Sequence, residues 1–155
     1  MKKYLLQRAE QLLLTIWVGS LLAIGYLAAP VLFYTLDDRQ LAGELAGHMF
    51  HIVNLIGLVC GLSLLLLAFI QNRPSYLRQW RHYTLLMMLG LIIIAMYVLQ
   101  PQMAAIKGQI AWQEVVELKA AFGKLHGISS ILYMLTSLMG IVLVVMGVNR
   151  ESTSS

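Results

Sequence analysis

Four long apolar runs, each free of charged side chains, set the pattern of this chain. The charge-free intervals are residues 11–36, 45–72, 82–106 and 125–149. Each interval is longer than the roughly 20 residues that a membrane-spanning helix needs. Lipid offers backbone groups no hydrogen-bond partners, and these runs are too long and too rich in leucine for the strands of a barrel. We therefore predict four spanning helices.

The four runs predict an all-α fold, an integral membrane four-helix bundle that forms a single domain over residues 1–150. The polar end of the chain, residues 151–155, is expected to be a disordered tail. The predicted spans are about residues 11–34, 48–70, 83–100 and 126–148.

Proline and aspartate mark the boundary between the first two spans. Pro30 is expected to kink or break the first helix near its outer end. Asp37 and Asp38 are candidate N-caps for the second helix, because a carboxylate accepts hydrogen bonds from the free amides of a first helical turn. The second helix is then predicted to run unbroken over residues 39–70, with its first turns outside the hydrocarbon.

The segment after the third span predicts one more helix. The third helix is expected to stop at Pro101, which stands between two glutamines. Residues 103–124 then combine charged side chains with an apolar stripe, a pattern typical of a helix at the membrane interface. We predict an extra amphipathic outer helix between spans 3 and 4, either continuous or divided near Gly108.

The composition supports a membrane location. Hydrophobic residues make up 59% of the chain and charged residues only 12%, whereas soluble domains contain about 45–50% and about 25%. The net charge of +4 does not indicate nucleic-acid binding, because the basic residues lie at the ends of the apolar runs. Lys and Arg are most frequent on the side that carries the N-terminus. This predicts a multi-pass membrane protein with both termini in the cytoplasm, and the lipid bilayer as its surroundings.

Small and polar residues form stripes on spans 2 and 4. Small side chains let two helix backbones approach closely in a membrane, and polar side chains form hydrogen bonds between helices. We expect helix packing through these stripes, with a second copy of the chain or with a membrane partner. The predicted packing residues are Gly43, Gly47, Asn54, Gly57 and Gly61 on span 2, and Ser130, Tyr133 and Ser137 on span 4.

Spans 1 and 3 carry further stripes that contain glycine and tyrosine, and we expect these to make buried contacts with other helices. The stripe residues are Thr15, Gly19, Tyr26, Pro30 and Phe33 on span 1, and Tyr83, Met87, Gly90, Tyr97 and Pro101 on span 3. Each half of the chain also has a spanning helix, an outer proline, and a return helix with histidine near its start. This layout predicts a parallel internal repeat about an axis along the membrane normal.

Three histidines near the outer face are the main candidates for metal or haem binding. If spans 2 and 4 pack together, the imidazoles of His48, His51 and His126 could converge, and imidazole binds copper, zinc and haem iron. The alternative functional hypothesis is therefore a copper or haem site in transport or redox chemistry. The competing interpretation treats these histidines as interfacial polar residues, because no carboxylate lies close enough in sequence to be an obvious partner.

The sequence contains no nucleophile–base pair, phosphate-binding loop or nucleotide motif. The first functional hypothesis is thus a non-enzymatic membrane protein that acts through helix packing with itself or with a partner. A small-molecule permease is a third option. Cys60 is the only cysteine, so it has no partner for an intrachain disulfide and is expected to pack as a small hydrophobe.

Six short motifs, spread over nearly the whole chain, carry a resemblance to a known family. They are WVGS at 17–20, GY at 25–26, APVLF at 29–33, AGHMF at 46–50, PQM at 101–103 and FGKLHGIS at 122–129. Together they resemble the family named after human transmembrane protein 205, whose bacterial members form the domain of unknown function 4149. The resemblance implies a four-helix integral membrane protein with no agreed biochemical activity and no catalytic residues to carry over. A more distant similarity in layout to copper-resistance D membrane proteins would imply a metal.

Overall fold

The computed structural model describes residues 2–70, 76–109 and 111–148. The predicted tail at 151–155 lies outside the described residues. The described residues form helices and no β-strand, and four of the helices are long and apolar enough to cross a membrane. The predicted all-α, four-span architecture is therefore confirmed. The candidate spans are Tyr4–Thr35, Arg39–Ile70, Trp80–Lys107 and Val116–Met146.

Six α-helices and two π-helical segments build these spans. Span 1 consists of α1, a first π segment and α2, and span 3 has the same construction from α4, a second π segment and α5. Spans 2 and 4 are the single helices α3 and α6. The bounds are α1 Lys2–Leu22, first π segment Ala23–Ala28, α2 Ala29–Thr35, α3 Arg39–Ile70, α4 Tyr76–Ile94, second π segment Ala95–Leu99, α5 Gln100–Lys107 and α6 Val116–Val148.

We call the end of the bundle that carries Pro30 and Pro101 the outer end, after the predicted orientation, and the opposite end the inner end. Both prolines lie inside a helix, just after a π segment. Pro30 and Pro101 are each the second residue of the α-helix that follows. A proline ring in a regular α-helix collides with the carbonyl four residues earlier, and the wider π turn relieves that collision. The residue before each proline donates its N–H to a carbonyl five residues earlier, Ala29 to Ile24 and Gln100 to Ala95. The prediction that the third helix stops at Pro101 is therefore wrong.

The outer connection between spans 3 and 4 is divided at Gly108. The Gly108 N–H donates to the Ala104 carbonyl at 3.0 Å and ends α5, and Ala111 has a left-handed backbone with φ 55°. The first part of residues 103–124 thus completes α5, and the last part begins α6. The extra amphipathic stretch continues the two spans instead of forming a separate helix, because the break at Gly108 falls within it.

α3 begins at the predicted cap and runs without a break. The Asp38 side chain accepts hydrogen bonds from the backbone amides of Gln40 and Leu41, at 2.8 and 3.1 Å. This contact confirms Asp38 as the N-cap of α3. With 32 residues, α3 is about 48 Å long, which exceeds a hydrocarbon core of about 30 Å. α3 is therefore long enough to extend beyond the core.

The four spans form a ring in which neighbours in sequence are neighbours in space. α1 packs against α3 and α6, and α4 packs against the same two helices. Spans 1 and 3 therefore lie diagonally opposite each other, and so do spans 2 and 4. The centre is filled by large apolar side chains, of which Trp17, Leu21 and Met88 are fully buried.

Burial follows one register in spans 1 and 3 and another in spans 2 and 4. The buried residues Leu14, Trp17, Val18 and Leu21 are matched 71 positions later by Leu85, Met88, Leu89 and Ile92. Pro30 and Pro101 have the same separation. In the return helices, Val53, Asn54, Gly57 and Cys60 are matched 83 positions later by Thr136, Ser137, Gly140 and Leu143. This register pairs His48 and His51 with Ile131 and Met134 and not with His126.

Candidate functional site

The histidines of span 2 make separate hydrogen bonds. His48 Nδ1 lies 3.1 Å from the Glu44 carbonyl oxygen one turn earlier in α3. His51 Nδ1 lies 3.1 Å from the Gln100 side-chain oxygen on span 3. Both side chains are exposed. Each imidazole therefore uses one ring nitrogen in a contact with a different neighbour.

His126 makes its ring contact within its own helix. Its ring stacks on Phe122 of its own helix, with 6.0 Å between centroids. Within residues 2–70, 76–109 and 111–148, no three His, Cys, Asp or Glu side chains lie close enough together to hold a metal ion. The geometry thus lends no support to a copper or haem site at His48, His51 and His126.

The glycine stripe of span 2 is divided between the interior and the surface. A Cβ at Gly57 would lie 2.6 Å from Trp17 Nε1, and one at Gly61 would lie 2.6 Å from Leu89 Cδ2. Asn54, one turn from Gly57, is buried as well. This half of the stripe therefore packs inside the protein's own bundle.

The outer half of the stripe is open. Gly43 is half-buried near Phe33, whose Cζ would lie 3.9 Å from an added Cβ, and Gly47 has nothing within 4 Å. The Gly43 carbonyl also accepts a hydrogen bond from Lys107 Nζ at 3.4 Å. Lys107 lies 5.4 Å from the centre of the Phe122 ring, so this one side chain contacts spans 2 and 4.

The serines of span 4 hydrogen bond within their own helix. Ser130 donates to the His126 carbonyl at 2.9 Å, and Ser137 donates to the Tyr133 carbonyl at 2.9 Å. Such bonds one turn back are common for serine in membrane helices. Ser130 is exposed and Ser137 is buried.

Tyr133 is the packing residue that reaches another span through a hydrogen bond. Its hydroxyl donates to the Leu21 carbonyl at 2.7 Å, two residues before the first π segment begins. Its ring lies against Gly25, where an added Cβ would collide with Cε1 and would lie 3.0 Å from the hydroxyl oxygen. Phe50 meets the Tyr133 ring edge-on, with 4.9 Å between centroids. Tyr133 thus joins spans 1, 2 and 4.

Sequence analysis did not single out Gly25 as a packing partner of Tyr133. The sequence signal was a glycine five residues before Pro30. A glycine next to a proline-distorted helix turn leaves space for a side chain from another helix. It also missed the ion pair at the inner end, where Arg81 Nη2 lies 3.0 Å from Glu10 Oε1. The sequence signal for that pair was two opposite charges 71 positions apart, which is the register that relates spans 1 and 3.

Most of the stripe on span 1 faces away from the bundle. Thr15, Gly19, Tyr26 and Pro30 are exposed, and a Cβ at Gly19 would have nothing within 4 Å. On span 3, Tyr83, Met87, Tyr97 and Pro101 are exposed too, while Gly90 is half-buried with nothing within 4 Å. The prediction of buried contacts is wrong for the exposed residues, whereas Phe33 is half-buried near Gly43 of span 2. Lipid tails are as apolar as the bundle interior, so an apolar pattern does not distinguish the two sides of a span.

The open stripe on span 1 has small residues four apart. Thr15, Gly19 and Ala23 are all exposed and lie on one side of the helix. We call these three residues the span 1 small face. Its chemistry is that of a packing surface: no side chain blocks the backbone, and the Thr15 hydroxyl can hydrogen bond to an approaching helix.

The sequence matches one family model. Residues 12–111 match the family described as domain of unknown function (DUF4149), from within α1 to the connection that follows α5. No curated protein and no solved structure matches the chain. The match includes spans 1 to 3 and both outer prolines, and it covers more than half of the chain. The chain therefore belongs to the DUF4149 family, which is described as a domain of unknown function.

Proposed function

We propose that the protein is a non-enzymatic packing module of the membrane. In this proposal, the span 1 small face docks a second transmembrane helix, from another copy of the chain or from a partner protein. The observation that carries the proposal is the open space beside Gly19, in the middle of a span. The resemblance to the family named after human transmembrane protein 205, which has no agreed biochemical activity, is consistent with a non-enzymatic role.

Helix association in lipid is driven by other contacts than association in water. Apolar side chains gain nothing by leaving lipid for another apolar surface, so association depends on close packing and on hydrogen bonds between helices. Close packing requires small residues, and hydrogen bonds across a membrane interface contribute about 0.6 to 2 kcal/mol each. The span 1 small face supplies both, since Gly19 admits a backbone and Thr15 carries a hydroxyl.

The equivalent face of span 3 is a natural control within the same molecule. Seventy-one positions after Thr15, Gly19 and Ala23 stand Leu86, Gly90 and Ile94. Leu86 and Ile94 are exposed, so this face also points away from the bundle. Its glycine is flanked by bulky side chains that keep a second backbone at a distance. The docking proposal therefore applies to span 1 and not to span 3.

Disulfide crosslinking in native membranes tests the proposal. Cys60, the only cysteine, is first replaced by alanine, and single cysteines are then placed at Ala23 or at Ile94. We expect Ala23→Cys to form a crosslinked dimer, or a crosslink to a partner through a short thiol-reactive linker, and Ile94→Cys to form neither. Equal crosslinking at the two positions, or none at Ala23→Cys, would contradict docking at span 1.

We further propose that both termini face the cytoplasm of a bacterial inner membrane. The support is the excess of Lys and Arg in the segments that share a side with the N-terminus. A reporter enzyme active only in the cytoplasm, fused to the C-terminus, tests this orientation. Activity of the fusion supports it, and an inactive but well-expressed fusion contradicts it.

A further inference from the structure

The two π segments occupy equivalent places in the two halves of the chain. Ala23–Ala28 precedes Pro30, and Ala95–Leu99 precedes Pro101. The two prolines are 71 positions apart. The hydrogen bonds from Ala29 to the Ile24 carbonyl and from Gln100 to the Ala95 carbonyl have the same separation. A π turn next to a proline leaves backbone groups without their usual partners one turn away. Each segment is therefore a potential hinge near the outer end of its span.

The hinge of span 1 is held by a side chain from span 4. The Tyr133 hydroxyl donates to the Leu21 carbonyl at 2.7 Å, and a Cβ added at Gly25 would lie 3.0 Å from the same hydroxyl oxygen. In a regular α-helix, the Leu21 carbonyl would instead accept from the Gly25 amide. The ring can reach this place only because Gly25 has no side chain.

We call the Tyr133 hydroxyl and the space left by Gly25 the brace of span 1. The hinge of span 3 lacks both of these parts. The register of the return helices places Phe50 where Tyr133 would be required, and phenylalanine has no hydroxyl to donate. The register of spans 1 and 3 places Met96 at the position of Gly25, and this methionine is buried. A side chain therefore fills the space that the tyrosine ring uses in the first half. The carbonyl equivalent to that of Leu21 belongs to Ile92.

We propose that Tyr133 locks the hinge of span 1 and that the unbraced hinge of span 3 is the one that bends, carrying α5 with it. Two exposed hydrogen bonds connect α5 with α3, one between His51 and the Gln100 side-chain oxygen and one from Lys107 to the Gly43 carbonyl. Because both are exposed, they can break without exposing the core. The outer end of span 3 thus moves relative to span 2, while the outer end of span 1 stays fixed. This inference does not depend on docking at the span 1 small face.

Hydrogen–deuterium exchange of the full chain in lipid nanodiscs tests the inference. In the natural protein, we expect the amides of 95–100 to exchange faster than those of 24–29, because one hinge is braced and the other is not. Tyr133→Phe should speed exchange at 24–29 by about threefold to tenfold, the effect of losing one hydrogen bond in a membrane helix. Exchange at 95–100 and in the middle of α3 should stay unchanged. Acceleration of all three regions together would indicate general loosening and would overturn the proposal.

A second variant transplants the brace. The double substitution Met96→Gly and Phe50→Tyr supplies the glycine and the hydroxyl that span 3 lacks, and it should slow exchange at 95–100. The single substitution Met96→Gly is the matched control, because it removes the side chain without adding the hydroxyl, and it should not slow exchange. Should the double variant fail to accumulate, the natural protein still decides: equal exchange at 24–29 and 95–100 would overturn the proposal.

Discussion

The carboxylate of Glu10 contacts the guanidinium group of Arg81 at 3.0 Å, across the inner end of the bundle. The two residues belong to diagonal spans and are 71 positions apart, so they occupy equivalent places in the two halves. At the outer end, Phe50 and Tyr133 are 83 positions apart and also contact each other. Two pairs of equivalent residues therefore meet at the two ends of one axis, as expected when the halves are related by rotation about the membrane normal.

The Glu10–Arg81 pair is expected to stabilise the bundle. Both side chains are mostly buried, at 26% and 17% exposed, so removing one charge leaves the other without a partner in a poorly solvated place. We predict that Glu10→Gln lowers the free energy of unfolding by about 1–3 kcal/mol, measured by titration with sodium dodecyl sulfate in mixed micelles. Because the positions are equivalent, the exchange Glu10→Arg with Arg81→Glu should recover most of the loss. An exchanged protein no more stable than Glu10→Gln would contradict this view of the pair.

The interior and exterior glycines should respond differently to alanine. At Gly57 an added Cβ would lie 2.6 Å from Trp17 Nε1 and 2.7 Å from Ile92 Cδ1. We predict that Gly57→Ala lowers the free energy of unfolding by about 1–3 kcal/mol, the usual effect of overpacking. Gly19→Ala meets no atoms and should be neutral or stabilising by up to about 1 kcal/mol, since alanine favours the helix. The same detergent titration compares the two, and an equal response would argue against the packing described for Gly57.

The histidines provide a test of the metal hypothesis. His48 and His51 already contact different partners, and His126 stands on the diagonal span. We therefore expect His48→Ala, His51→Ala and His126→Ala to leave metal content and visible absorption unchanged from those of the purified natural protein. Elemental analysis measures the metal content, and a visible spectrum measures the absorption. Stoichiometric copper, or a haem absorption band, that disappears in these variants would restore the hypothesis.

Much of the fold follows from simple features of the sequence. The charge-free intervals identify the four spans, and Asp38 marks the start of α3, because both depend on local chemistry that the sequence displays. Pro30 and Pro101 indicate where the outer helices deviate from α geometry. They do not reveal that each helix continues through a π turn, since that outcome depends on how neighbouring spans hold the chain.

The candidate site could be predicted less well than the fold. Glycine stripes on spans 1 and 2 have the same appearance in sequence, yet Gly57 faces Trp17 and Gly19 faces outward. The difference arises because the bundle interior and lipid are equally apolar, so only the tertiary arrangement decides which face is covered. The contact of Tyr133 with Leu21 was similarly hidden, because its acceptor is a backbone carbonyl that carries no signal in the sequence.

The most direct test of docking at the span 1 small face compares Gly19→Leu with Gly90→Leu. Both substitutions fill open space at equivalent depth, so both should leave the fold intact. Self-association is measured by Förster transfer between labelled copies in liposomes, and binding to a membrane partner by co-purification from native membranes. We predict that Gly19→Leu weakens association at least tenfold, or about 1.4 kcal/mol, while Gly90→Leu has no effect. Equal association of both variants and the natural protein would contradict it.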